Sequence, residues 1–218
     1  DALAGNLTVD AAALADNTAL TLSGGANGKT ATVNNLAGDL VATGLVSALT
    51  VNLVDNAGDD DISVTTGSHT TSITGSISGD TVSVIATALA DDAVLSTAGA
   101  GAFTITDLKG DLNNTATGAV SVTLADNAGG TYTVTSDQAI TVVNGTAATG
   151  DTITLAGIGT KTVTGLVANL SLDASNTGTT GVTTGATALT ITADALAGNL
   201  TVDAAALADN TALTLSGG

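Results

Sequence analysis

Apolar residues in this chain alternate one by one with Thr, Ser, Asn or Asp in short runs. LTVNL (49–53), DISVTT (61–66), TVSVIA (81–86), FTITDL (103–108), VSVTLA (120–125), TYTVTS (131–136), TITLAG (152–157), KTVTGL (161–166) and LTITAD (189–194) all follow the pattern. A period of two sends every second side chain to one face, so each run reads as a strand with one buried side. Gly-Asp, Gly-Asn, Asp-Asn and Asn-Gly pairs separate the runs. Gly and Asn take positive φ at little cost, so the breaks read as turns. Helix signals are scarce. DAAALADNTAL (10–20) is Ala-rich enough for one helical turn, and Ala suits a tightly packed bend equally well.

Regular short strands admit two architectures, a β-solenoid of stacked coils or a string of tandem β-sandwich domains. A sandwich core about 10 Å thick normally uses aromatic residues, and sandwich edges are commonly blunted by Pro and Lys. This chain of 218 residues has one Phe (Phe103), one Tyr (Tyr132), no Pro and three Lys. Val, Ile, Leu and Ala can fill the thinner interior of a solenoid, whose edges are covered by the next coil. The expected fold is therefore an all-β β-solenoid, with tandem sandwiches as the alternative. Coils of about 18–24 residues stacked about 4.8 Å apart would fit it.

The first 25 residues, DALAGNLTVDAAALADNTALTLSGG, recur without change at 194–218. Two domains diverging independently would not keep such a stretch identical, so the chain reads as one continuous solenoid segment over 1–218. In this reading 1–193 is one period, 194–218 starts the next copy, and the first residue marks an arbitrary phase of a tandem array. No initiating Met and no charged-then-apolar leader is present, so an export signal is expected outside this stretch. Inside the period, TATVNNLAGDLVAT (30–43) echoes AFTITDLKGDLNNT (102–115) and, more loosely, TKTVTGLVANLSLD (160–173), with Val33, Ile105 and Val163 as anchors. These echoes suggest diverged sub-repeats near 28–100, 101–158 and 159–193, the last running on into the next copy.

Charge limits the partners. The net charge is −17, every acid is Asp, and the bases are Lys29, Lys109 and Lys161. Such a surface keeps an array soluble and repels nucleic acid and anionic lipid. No apolar run reaches the length of a membrane span, so no membrane insertion is expected. Without Cys there is no disulfide framework and no thiolate metal site.

Four features could carry chemistry. Asp59, Asp60 and Asp61 are adjacent, and a hard cation with oxygen ligands would relieve their repulsion. Asp80 in SGDTVSV and Asp151 in TGDTITL complete a set of calcium candidates, although Asp also serves simply to cap turns. GGANGKT (24–30) brushes against a phosphate-binding loop, but Ser23 stands where that pattern needs Gly, so it reads as a turn. His69 is the single histidine, and with no Cys, no Glu and no Arg it lacks partners for a catalytic site; it reads as an exposed surface residue. Thr-x-Thr pairs at 30/32, 104/106, 133/135, 152/154, 162/164 and 190/192 would put both hydroxyls on one side of a strand. Their uneven spacing argues against a regular Thr ladder.

Stretches such as ALADNTALTLSGG, VSVTLADNAGG and SGDTVSV resemble the tandem-repeat regions of giant bacterial β-strand-repeat proteins, exported by type I systems and grouped loosely with RTX adhesins. The same composition resembles calcium-dependent S-layer proteins. SGDTVSV and TGDTITL resemble the tail of the calcium-binding RTX nonapeptide, but its Gly-Gly-x-Gly lead-in is missing. The resemblance implies a non-catalytic structural repeat of an extracellular filament, surface layer or adhesin stalk at the bacterial cell surface or in a biofilm matrix. Its partners would be neighbouring repeats of the same chain, with lateral self-association, and calcium would be its only cofactor. A ligand- or ice-binding solenoid face is the alternative, and a carbohydrate-active β-helix enzyme a more distant one.

Overall fold

The computed structural model describes residues 5–54, 61–75, 81–126, 129–144 and 150–217. Among them there is no helix, and every strand pairing with an assigned register is parallel. The chain is an all-β solenoid; parallel pairing between successive coils excludes the antiparallel sandwich. It falls into two compact units, 1–120 and 121–218.

In the first unit the strands are β1 (Leu7–Asp10), β2 (Ala19–Gly24), β3 (Thr30–Leu36), β4 (Asp39–Leu45), β5 (Ala48–Leu53), β6 (Ile62–Thr65), β7 (Thr71–Gly75), β8 (Thr81–Ile85), β9 (Val94–Gly99), β10 (Ala102–Leu108) and β11 (Asp111–Asn114). One sheet runs β1-β3-β5-β7-β9-β11 and the other β2-β4-β6-β8-β10, so each coil contributes one strand to each sheet. The second unit repeats the plan with β12 (Val120–Leu124), which begins at the boundary, β13 (Thr131–Ser136), β14 (Ile140–Val143), β15 (Thr152–Ala156), β16 (Lys161–Leu166), β17 (Asn169–Leu172), β18 (Thr180–Thr184), β19 (Leu189–Ala193), β20 (Leu200–Asp203) and β21 (Leu213–Gly217). Its sheets run β13-β15-β17-β19-β21 and β12-β14-β16-β18-β20. All nine runs with period-two alternation fall on strands.

Parallel register turns the alternation into columns. Val9, Val33, Val51 and Ile73 stand one above another inside the first unit, as do Tyr132, Ile153, Leu170 and Ile191 inside the second. Most members of these columns are fully buried. Strands of neighbouring coils lie about 4.8 Å apart, so aliphatic side chains stack in van der Waals contact and each contributes about 1.5–3 kcal/mol through burial. Tyr132 heads the second of these columns, its hydroxyl donating to the Ala125 carbonyl, and Phe103 stacks in the other sheet of the first unit with Val82 and Ile62.

The three sequence echoes share a local device. In β3, β10 and β16 a residue of positive φ (Asn35 at 56°, Asp107 at 55°, Gly165 at 66°) precedes a buried leucine: Leu36, Leu108 and Leu166. The kink slips the register by a residue, seen as a bulge between Val33 and Leu36 and between Val163 and Leu166. Two residues then separate consecutive buried side chains, and the strand bends into its corner. The device serves both sheets of the first unit, with β3 in one and β10 in the other.

The Ala-rich segment 10–20 forms two successive turns, closed by Leu14 N–H to Ala11 C=O at 2.9 Å and Thr18 N–H to Ala15 C=O at 3.2 Å, with Asn17 at φ 53°. Asp and Asn side chains here compete with helix by bonding their own turns; Asp10 Oδ1 accepts from Ala12 N–H at 3.1 Å.

Coil length varies, from 17 residues between the partners Leu95 and Leu112 to 24 between Leu7 and Ala31. The corners absorb the difference, and some pass very close to the coil before. A Cβ built on Gly159 would lie 2.0 Å from Gln138 O, one on Gly178 2.4 Å from Gly159 O, and one on Gly198 2.1 Å from Gly178 O. This glycine stack exists because backbone meets backbone there. Gly178→Ala is expected to destabilise the second unit by about 1–3 kcal/mol, the usual cost of overpacking, read as a lower urea midpoint. An unchanged midpoint would mean that the corner gives way freely.

Candidate functional site

Polar groups lie at the corners and on the outer faces, and a few, Thr97, Asn114 and Lys161 among them, are buried inside. The first N–H of many strands donates to a carbonyl of the adjacent coil, as Asp39 N–H does to Thr18 C=O, and a few N–H groups near strand starts and corners turn to a side chain instead. Asp and Asn of the adjacent coil supply these side chains. Asn6 Oδ1 accepts from Thr30 N–H (3.1 Å), Asp39 Oδ1 from Ser63 N–H (2.9 Å), and Asn169 Oδ1 from Thr190 N–H (2.9 Å). Asn144 Oδ1 takes two, from Val167 and Ala168.

Two of the calcium candidates act in this way. Exposed Asp61 accepts from Thr81 N–H at 3.2 Å, and fully buried Asp151 accepts from Gly129 N–H at 2.6 Å. Asp61 belongs to the first unit and Asp151 to the second. Asp59, Asp60 and Asp80 lie outside the described residues. Among the described residues no cluster of three or more His and Asp side chains is brought together for a metal. At the turns, hydrogen bonds from the Asn35 side chain and Ala12 N–H hold the Asp10 carboxyl below its ordinary pKa, and those from Ser175 do the same for Asp173.

Lys161 is the functional-looking residue that sequence reasoning passes over. It occupies an inward position of β16, in a column with Ile140 and Thr180, and is completely buried. Its Nζ donates to three backbone carbonyls: Ser136 at 3.1 Å, Gly157 at 2.5 Å and Gly159 at 2.8 Å. All three donor positions of the ammonium are used. Burial pulls its pKa below the ordinary lysine value, and the Asp137 carboxylate works the other way. The ammonium thus occupies a carbonyl cage that pins a corner, as a bound cation would.

His69 is half-buried rather than exposed, with Nδ1 2.9 Å from Ser68 Oγ. In GGANGKT, Gly24, Gly25 and Gly28 all have positive φ, Lys29 N–H closes a turn on Ala26 C=O, and strand β3 follows. With no helix N-terminus behind it, this loop lacks the geometry that cradles phosphate.

The Thr pairs are more regular in space than in sequence. On the outer face of the second unit, Thr133, Thr154, Ser171, Thr192 and Ser216 form one column in direct register. Thr131, Thr152, Asn169, Thr190 and Thr214 occupy the positions two residues earlier on the same strands. Neighbouring members stand about 4.8 Å apart along a column and the two columns about 7 Å apart. None of the ten positions is charged. Unequal coil lengths and the replacement of Thr by Asn169, Ser171 and Ser216 hide this array from a count of Thr-x-Thr spacings.

Lys161→Met should destabilise the second unit by about 3 kcal/mol, since three corner carbonyls lose a charged donor, again measured by urea denaturation. A change below about 0.5 kcal/mol, the range of surface substitutions, would show that the corner stands without the cage. Comparison of the chain with family models, with curated proteins and with solved structures finds no match.

Proposed function

We propose that this chain is a non-catalytic structural repeat of an extracellular bacterial filament, surface layer or adhesin stalk. One observation carries the reading: an identical stretch of sequence builds the same coil at two places in the solenoid. Leu7–Asp10 and Leu200–Asp203 are both strands. The turn Thr18 N–H to Ala15 C=O recurs as Thr211 N–H to Ala208 C=O, with Asn17 at φ 53° and Asn210 at 63°. The first copy has its neighbour on the C-terminal side (β3, β4) and the second on the N-terminal side (β18, β19). A coil that folds against either neighbour can be stacked repeatedly. The mechanism is mechanical. Continuous backbone ladders resist extension, aliphatic columns hold the two sheets together, and the Asp-rich surface keeps an array soluble and separated from anionic envelopes.

The test is immunogold labelling of intact producing cells together with electron microscopy of the shed material, in calcium and in chelator. Surface labelling and thin rods with an axial repeat of about 4.8 Å are expected, and label confined to the cytosol would overturn the reading. Rods that lose order in chelator would add calcium to it, through Asp61, Asp151, Asp80 or the adjacent Asp59 and Asp60.

The two hydroxyl columns of the second unit favour one second reading, a face that binds ice. Methyl and hydroxyl groups repeated in two directions, without charge, can hold a sheet of ordered water. The chain should then retard ice recrystallisation, and Thr152→Tyr with Thr190→Tyr should abolish the effect with the circular dichroism spectrum unchanged. Ice growth indifferent to the wild-type chain would remove this reading.

A further inference from the structure

Two asparagines of the chain, Asn27 and Asn144, are followed by glycine. The order matters chemically. The backbone nitrogen of the next residue is the nearest nucleophile to an asparagine's side-chain carbon, and a Cβ on that residue obstructs its approach; glycine has none. The fold treats the two asparagines oppositely. Asn144 is completely buried, and its Oδ1 accepts from Val167 and Ala168 N–H at 2.9 and 3.0 Å, which fixes its carboxamide. Asn27, Gly28 and Lys29 are exposed. Other exposed asparagines among the described residues, Asn17 and Asn210 for instance, precede a residue that carries a side chain.

Asn27 and Gly28 form the tip of a turn closed by Lys29 N–H to Ala26 C=O at 3.1 Å, with Gly28 at φ 76° in its third position, as a type II turn requires. A Cβ built on Gly28 would meet nothing within 4 Å, so the space around it is open. Coils of the chain flank this corner on both sides. Asn6 Oδ1 accepts from Thr30 N–H at 3.1 Å on one side, and on the other the Gly24 and Lys29 carbonyls accept from Val46 and Ala48 N–H at 2.9 and 3.0 Å. The exposure of Asn27 is therefore a property of the corner itself. Between these anchors, residues 25–28 belong to no strand.

We infer that Asn27 is a self-modification site, where the chain converts its own carboxamide into a carboxylate. Gly28 N attacks Asn27 Cγ and bonds to it, the Cγ–Nδ2 bond breaks, and ammonia leaves with the former Gly28 amide proton. Water then opens the cyclic imide. Cleavage at the Asn27 backbone carbonyl leaves an isoaspartyl link through the side chain, and cleavage at Cγ leaves ordinary aspartate. Neither step consumes an oxidant or a reductant. Both products place a new negative charge two residues from Lys29, and the isoaspartyl link adds one atom to the backbone of a corner whose ends are held. The ladders that begin and end beside residues 25–28 survive the change. The chemistry needs no extracellular location, so its failure leaves the proposed function standing.

The experiment incubates the folded 218-residue chain in mildly alkaline buffer and maps its peptides by mass spectrometry, with isoaspartate read by enzymatic methylation. Expected are the mass gain of amide-to-acid conversion at Asn27, at least tenfold faster than at Asn144, and isoaspartate in the same peptide. The circular dichroism spectrum should stay unchanged as the product accumulates. Asn27→Gln should keep the fold and remove the isoaspartate signal, since its longer side chain would have to close a larger ring. Persistence of Asn27 through the incubation would overturn the inference. So would equal rates at Asn27 and Asn144, or conversion to aspartate without isoaspartate, which marks direct hydrolysis.

Discussion

The parallel hydrogen-bond ladder between one coil and the next is the constraint from which the rest follows. It places each strand about 4.8 Å from its neighbour, and everything between two coils must fit that spacing. Inward side chains become columns, so a residue is packed chiefly against its counterparts one coil away. Val33 between Val9 and Val51 is completely buried by such neighbours. Aliphatic side chains suit this arrangement, and the two aromatic residues are accommodated singly. Corners inherit the same spacing without a ladder, which is why Gly159, Gly178 and Gly198 meet the preceding backbone at distances that exclude a Cβ.

The ladder also decides where the polar residues go. Backbone carbonyls satisfy most N–H groups in the sheets and corners, and at several places where one is missing Asp or Asn side chains accept instead. Their chemistry is therefore first structural, as Asp39, Asp61 and Asp151 illustrate from exposed or buried positions. Lys161 solves the opposite problem. Where a corner gathers three carbonyls inward, a buried ammonium with three donors bonds all of them, Ser136 C=O accepting from Gly159 N–H as well. An uncompensated charge there would be costly, and the three bonds are what make it tolerable.

How much of this is legible in the sequence follows from which properties are local. Alternation is local, so the strands can be read directly, and the poverty of aromatic residues is enough to choose a solenoid over sandwiches. The bulge is half legible: the echo around Val33, Ile105 and Val163 is visible, but its meaning, a positive-φ residue before a buried leucine, emerges only from backbone geometry. Register across coils is not local at all. Coils of 17 and 24 residues lie in one sheet, so equal spacing in space becomes unequal spacing in sequence, and the hydroxyl columns through Thr154 and Thr190 disappear from a linear count. The same holds for Lys161. Its charge suggests a surface, and only the column it shares with Ile140 and Thr180 shows it pointing inward.

Unequal coils also bear on what an identical repeat can mean. If every coil matched its neighbours, any coil could sit on any other, and register along an array would be undefined. Here the corners, bulges and caps differ from coil to coil: Asn35 bonds Asp10 across one interface and Asn169 caps Thr190 across another. Each coil thus carries a partly individual set of contacts for the coil beside it. An identical stretch of sequence is then an address, because it carries the same bonding groups to a second place, Asn6 and Asp10 returning as Asn199 and Asp203. The regular ladder supplies the affinity common to every interface, and the irregular corners decide which coil belongs on which.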